Sequence, residues 1–117
     1  MKFQKVFSAN FALRLLVVLG VFYGSVGLTI AVSEWWQIAI VADPNNIASY
    51  HFGSEGMMYH GGWHYASAKV YAWSALAEGF TFGIALWLLL VAWRSYSWRY
   101  LLGAVAVFAA IIVIVNL

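Results

Sequence analysis

One acid interrupts an otherwise apolar run: Glu78, within the stretch Val70 to Trp93. A charge deep in a bilayer costs about 3 kcal/mol on insertion scales, so this residue is expected to face protein or a water-lined cavity. Tyr71, Ser74, Glu78 and Thr81 follow one another at spacings of three and four, which on a helix places all four on one stripe. Hydroxyls beside a carboxylate suit the passage of a proton or small cation, or contact with a polar ligand. They suit equally an acid that fixes the packing of neighbouring helices.

His51, His60 and His64 lie together outside the apolar runs, beside Glu55, Met57 and Met58. His60 and His64 are four apart, the interval that sets two imidazoles on one helical face, as a metal or haem site would use. Imidazole with thioether favours copper. Gly61 and Gly62 weaken the helix this geometry needs, and packing or partner contact is the plainer account of His and Met in an aromatic segment. Trp73 and Trp87 are placed either to line a pigment, quinone or lipid site or simply to pack. These residues name no cofactor; the candidates they leave open are copper, haem, pigment or quinone, shared with partner chains. With no cysteine in the sequence, disulfides, iron–sulfur clusters and thiolate zinc are excluded.

The elements that must position these residues are set by composition. Of 117 residues, 65% are hydrophobic and 9% charged, against about 25% charged in ordinary soluble domains. A compact domain of this length buries only about two-thirds of its surface, so lipid must cover the remainder. The chain is read as one all-α integral membrane domain over residues 1–117, with three transmembrane helices at about 11–40, 70–94 and 98–116. Phe11 to Val32, 22 residues broken only by Arg14, spans about 33 Å at 1.5 Å per residue, one bilayer crossing. Glu34, Trp35 and Trp36 follow as an interfacial belt, and Asp43-Pro44-Asn45-Asn46 is a turn signal. A charged start, the apolar run and Ala31-Val32-Ser33 also resemble a cleaved signal sequence. The run exceeds the usual length of about 7–15 apolar residues for such a segment, so retention as a crossing is expected.

Five of the six basic residues, Lys2, Lys5, Arg14, Arg94 and Arg99, fall on one side of this layout, with Lys69 on the other. The positive-inside rule then places the N-terminus in the cytoplasm, and loop 42–69 and the C-terminus outside, in the periplasm or extracellular space. The loop interleaves Tyr50, Phe52, Tyr59, Trp63 and Tyr65 with Gly53, Gly56, Gly61 and Gly62. It is too apolar for free solvent and is expected on the membrane surface or against a partner, with room for one short interfacial helix. No heptad or other repeat is apparent.

Small residues recur at helical spacing on each crossing: Gly20, Gly24 and Gly27; Ala72, Ala75, Gly79 and Gly83; Gly103, Ala106 and Ala110. In lipid, close approach of backbones through such faces favours association, so these are candidate packing surfaces. Besides the bilayer, other membrane subunits are the expected partners; a net charge of +2 gives no footprint for nucleic acid. In size and layout the chain is similar to the membrane anchors of succinate dehydrogenase and fumarate reductase, which hold quinone and in some members haem. The similarity covers topology alone, and no histidine falls within a crossing, so the haem-ligand position has no counterpart. The resulting expectation is a small, non-catalytic integral subunit of a larger membrane complex, of the respiratory or photosynthetic electron-transfer kind. Two alternatives stay open: a copper-, haem- or pigment-binding subunit using the outer-loop histidines, and a homo-oligomeric proton or cation pathway using Glu78.

Overall fold

A computed structural model describes residues 9–54 and 63–117. Helix α1, Ala9–Trp35, continues into a wider π-helical turn, Trp36–Val41. The short helix α2 covers Pro44–Ser49, a single 3-10 turn Trp63–Tyr65, α3 Ala68–Ser95 and α4 Trp98–Val115. With its π-helical extension α1 is 33 residues, about 50 Å at 1.5 Å per residue, within a molecule 61 × 27 × 20 Å.

Three helices, Ala9–Val41, Ala68–Ser95 and Trp98–Val115, are long and apolar enough to cross a membrane. Only 17% of the most apolar stretch of the first and third, and 33% of the second, is buried within the chain. The outward faces carry Phe22, Phe80 and Trp73, each more than 60% exposed. That much aliphatic and aromatic surface is stable facing lipid, where a helix also satisfies its backbone groups internally.

The helix boundaries have local causes. Ala42 takes a left-handed conformation, φ +50°, and donates its N–H to the Gln37 carbonyl, closing the π-helical turn. Asp43 then caps α2, its side chain accepting from the Asn45 N–H at 3.0 Å, with Pro44 in the first turn. The Asp43–Asn46 segment thus ends one helix and begins another. Ser67 caps α3 by accepting from the Val70 N–H, and Tyr96, again left-handed, ends it.

Helix α3 is central: it packs along both α1 and α4, which touch each other lightly. The buried residues Val17, Gly24, Ala31 and Ile38 of α1 repeat every seven, the spacing of a seam kept against one partner. Gly20 and Gly27 share that seam. A Cβ added at Gly24 would lie 2.8 Å from Leu86, and one at Gly27 2.4 Å from the Phe82 ring. At Gly20 the neighbour is Leu89, at 3.0 Å. Phe82, Leu86 and Leu89 thus enter α1 where side chains are missing. Gly79 and Gly103 make ordinary contacts, with Val32 and Leu88 at 3.7 Å, and Gly83 meets nothing within 4 Å. The tightest core, Leu13, Val17, Leu89, Ala92, Leu101 and Ala104, lies at the end where α3 turns into α4, hereafter the turn end. Toward the opposite, loop end the three helices enclose a cavity instead.

Candidate functional site

The loop-end cavity, about 210 Å³, is bounded by α1 through Ile30, Ala31 and Glu34, by α3 through Tyr71, Ser74, Ala75 and Glu78, and by Val115 of α4. His64 and Tyr65 of the 3-10 turn close it. Two carboxylates therefore share one space. Glu34 is held from both sides: the Tyr71 hydroxyl donates to its Oε2 at 2.9 Å and the Tyr50 hydroxyl to the same oxygen. Such hydrogen bonds to a carboxylate are stronger than neutral ones. No hydrogen bond joins Glu78 to another described residue.

An aromatic lid is built around those two tyrosines. Tyr50 stacks on Phe52, with ring centres 5.2 Å apart and planes 4° from parallel. Phe52 and Tyr65 in turn lie 5.4 and 5.1 Å from Tyr71. His64 sits 4.5 Å from the Tyr65 ring. The lid is tied down at two backbone points. Gly53, at φ +81°, donates to the Tyr65 carbonyl at 2.8 Å, and an added Cβ there would lie 3.2 Å from the Ala66 carbonyl oxygen. The Trp63 indole N–H donates at 2.8 Å to the Ile114 carbonyl in the last turn of α4, which also accepts from the Leu117 N–H at 3.2 Å. Two segments of one loop, 50–54 and 63–67, thereby become one cap on the helix ends.

Burial and the Glu34 carboxylate together raise the Tyr50 hydroxyl to a pKa of about 12, keeping it a donor. Burial lowers the pKa of His64, whose Nδ1 is enclosed with no hydrogen-bond partner among the described residues. The favoured form of this imidazole is neutral, a proton acceptor beside two acids.

The stripe Tyr71-Ser74-Glu78-Thr81 is divided by its partners. Tyr71 is committed to Glu34, Ser74 and Glu78 line the cavity, and the Thr81 hydroxyl bonds back to the Ala77 carbonyl at 2.7 Å. Ser74, Glu78 and Thr81 also line a second cavity of about 150 Å³ toward Trp63 and Ala110. Glu78 lies between the two cavities, adjoining both.

No family model, curated protein or solved structure matches the chain. The arrangement of its own residues carries the functional reading. His64 enters the cavity, His51 is exposed with φ +52°, and His60 lies outside the described residues. Among the described residues no three His, Asp or Glu side chains are grouped to hold a metal.

The sequence alone placed Glu34 in an interfacial belt and did not connect it with Glu78. Its position was nevertheless signalled: Glu34 falls seven residues after Gly27 and fourteen after Gly20, on the seam facing α3. Tyr50 and Tyr65 were read only as part of an aromatic loop, since nothing in their spacing fixes the carboxylate one of them bonds.

Proposed function

We propose that this chain is a small, non-catalytic integral subunit of a larger membrane complex, and that it contributes a pocket accepting a proton or small cation. The observation that carries the reading is the shared cavity. It brings an intramembrane Glu78 with no hydrogen-bond partner among the described residues to the same space as Glu34, which two tyrosines hold, and a neutral imidazole. Ionisable groups at membrane depth characteristically serve proton and ion pathways. A pocket that the three helices share at their loop end makes half of such a pathway, so the rest must come from partner subunits or further copies. Respiratory or photosynthetic electron-transfer complexes fit this role because their chemistry takes up and releases protons. The distribution of Lys and Arg supports an orientation with the N-terminus cytoplasmic and the pocket outside.

Purification in mild detergent followed by reconstitution tests the proposal. The wild-type chain should co-purify with other membrane subunits, and the complex should translocate protons or small cations in liposomes. Glu78→Gln should abolish that flux while leaving assembly intact. A monodisperse isolated chain with no partners, or flux unaltered by Glu78→Gln, would refute it. His64 supports a second reading, a metal shared with a partner, because its Nδ1 has no hydrogen-bond partner among the described residues and its ring lines the same cavity as two carboxylates. Metal content that is unchanged by His64→Ala eliminates that alternative.

A further inference from the structure

The turn end holds a different kind of site. Arg14 projects between two aromatic rings, its guanidinium carbon 4.5 Å from the Trp93 ring centre and 4.4 Å from that of Tyr96. Rings on both sides stabilise the cation but accept none of its N–H groups in their plane. The guanidinium makes no hydrogen bond or ion pair with any described residue, and its enclosed Nε lacks a partner. Exposed Arg94 and Arg99 flank the same turn. The described acids Glu34, Asp43 and Glu78 all lie toward the loop end, so no described acid lies beside these three cations.

From Trp93 an open apolar furrow runs between α1 and α3. It is walled by Val18, Val21 and Ser25 on one side and by Leu86 and Leu90 on the other, with a volume of about 520 Å³. Arg14 stands one turn before Val18, at the furrow's head. From Arg14 to Ser25 is 11 residues, about 16 Å along a helix, which matches half of a hydrocarbon core about 30 Å thick. The site is thus a guanidinium fixed between two rings, with no ion pair among the described residues, leading into an apolar channel one leaflet deep.

We infer that this furrow binds one anionic glycerophospholipid, its phosphate on the Arg14 guanidinium and an acyl chain between α1 and α3. A phosphate oxygen pair matches the guanidinium fork, and aromatic stacking holds that fork in place before the lipid arrives. The surplus positive charge from Arg94 and Arg99 selects a net anionic headgroup over a zwitterionic one, whose ammonium it repels.

Native mass spectrometry of the full chain in mild detergent, titrated separately with dioleoylphosphatidylglycerol and dioleoylphosphatidylcholine, tests the inference. One phosphatidylglycerol per chain should be retained in preference to phosphatidylcholine. Arg14→Gln should reduce that preference about fivefold, in line with one basic residue near a lipid surface, and Arg14→Lys by less. Val21→Trp, which fills the furrow and leaves every arginine in place, should weaken retention of both lipids without changing their ratio. In the wild-type chain, raising the salt concentration should erode the preference. Equal retention of the two lipids, or a preference insensitive to both salt and Arg14→Gln, would overturn the proposal. Displacement of the lipid by an equal concentration of sn-glycerol 3-phosphate would show a free-phosphate site and overturn it too.

Discussion

At the turn end, Arg14 lies between Trp93 and Tyr96 above a core of Leu13, Val17, Leu89 and Ala92. At the loop end, Glu34 lies between Tyr50 and Tyr71 beside a cavity. Both helix ends hold a charge between two aromatic residues, yet the contacts differ in kind. A cation is stabilised by the faces of rings, which residues on α3 and its C-terminal turn supply directly. A carboxylate needs donors, and ring faces repel it, so the loop must bring a hydroxyl from Tyr50. The packed end is consequently assembled from helices alone, whereas the polar end depends on a docked cap. Stability resides at the first and adaptable chemistry at the second.

Core truncation should expose this contrast most strongly. Leu89→Ala is expected to destabilise the chain by about 2–4 kcal/mol, since Leu89 is 1% exposed among close-packed neighbours. Ser74→Ala, in the loop-end cavity, should change stability by no more than about 0.5 kcal/mol. Unfolding in mixed detergent micelles measures both, and equal losses would break the distinction between the two ends.

Next in size is the loss of a hydroxyl. Tyr71→Phe and Tyr50→Phe should each cost about 1–2 kcal/mol, with a non-additive double variant because both donate to one oxygen of Glu34. Undocking of the cap would appear as faster hydrogen exchange at the Gly53 amide, which the Tyr65 carbonyl holds. Unchanged exchange in the double variant would show that the cap is held by ring stacking alone.

A smaller effect of opposite sign is expected where α1 ends. Ala42→Gly should stabilise by about 1 kcal/mol, because Ala42 sits at φ +50°, a conformation glycine adopts without the Cβ clash. Thermal unfolding checks it, and a loss of stability would show that the alanine methyl makes a compensating contact.

The finest discrimination comes from pH. Burial holds His64 below its ordinary value of 6.5, so an undocked cap binds a proton that the docked cap does not. Docking is therefore at full strength above pH 6.5 and weakens as pH falls below it. Gly53 exchange measured from pH 7.5 to 5, corrected for intrinsic rates, should show this weakening in the wild-type chain and less of it in His64→Gln. The turn end, with no histidine, should show no corresponding change.

How far the site was legible depended on contrast. Glu78 stood out because a charge in an apolar run is rare and its depth follows from counting residues. Glu34 did not, since Trp35 and Trp36 beside it match an interfacial belt equally well. The packing face of α1 was legible only in part: Gly20, Gly24 and Gly27 marked it as small residues at helical spacing, whereas Val17, Ala31 and Ile38 of the same seam stayed hidden. Those three are no more apolar than the residues around them, so no alternation of polar and apolar residues marks the buried face, as it would in water.

Three helices long and apolar enough to cross a membrane were determined by the sequence itself. Run length and hydropathy decide that property, and a helix in lipid satisfies its own backbone without help from the rest of the chain. Which faces meet, and which acids share a space, only the tertiary structure decided. Those outcomes depend on side-chain shape across the seam, where Phe82 and Leu86 enter the gaps at Gly27 and Gly24. They also depend on a cap that joins Tyr50 to Glu34 and Trp63 to Ile114. Contacts between residues so far apart in the chain leave no periodic trace in either segment.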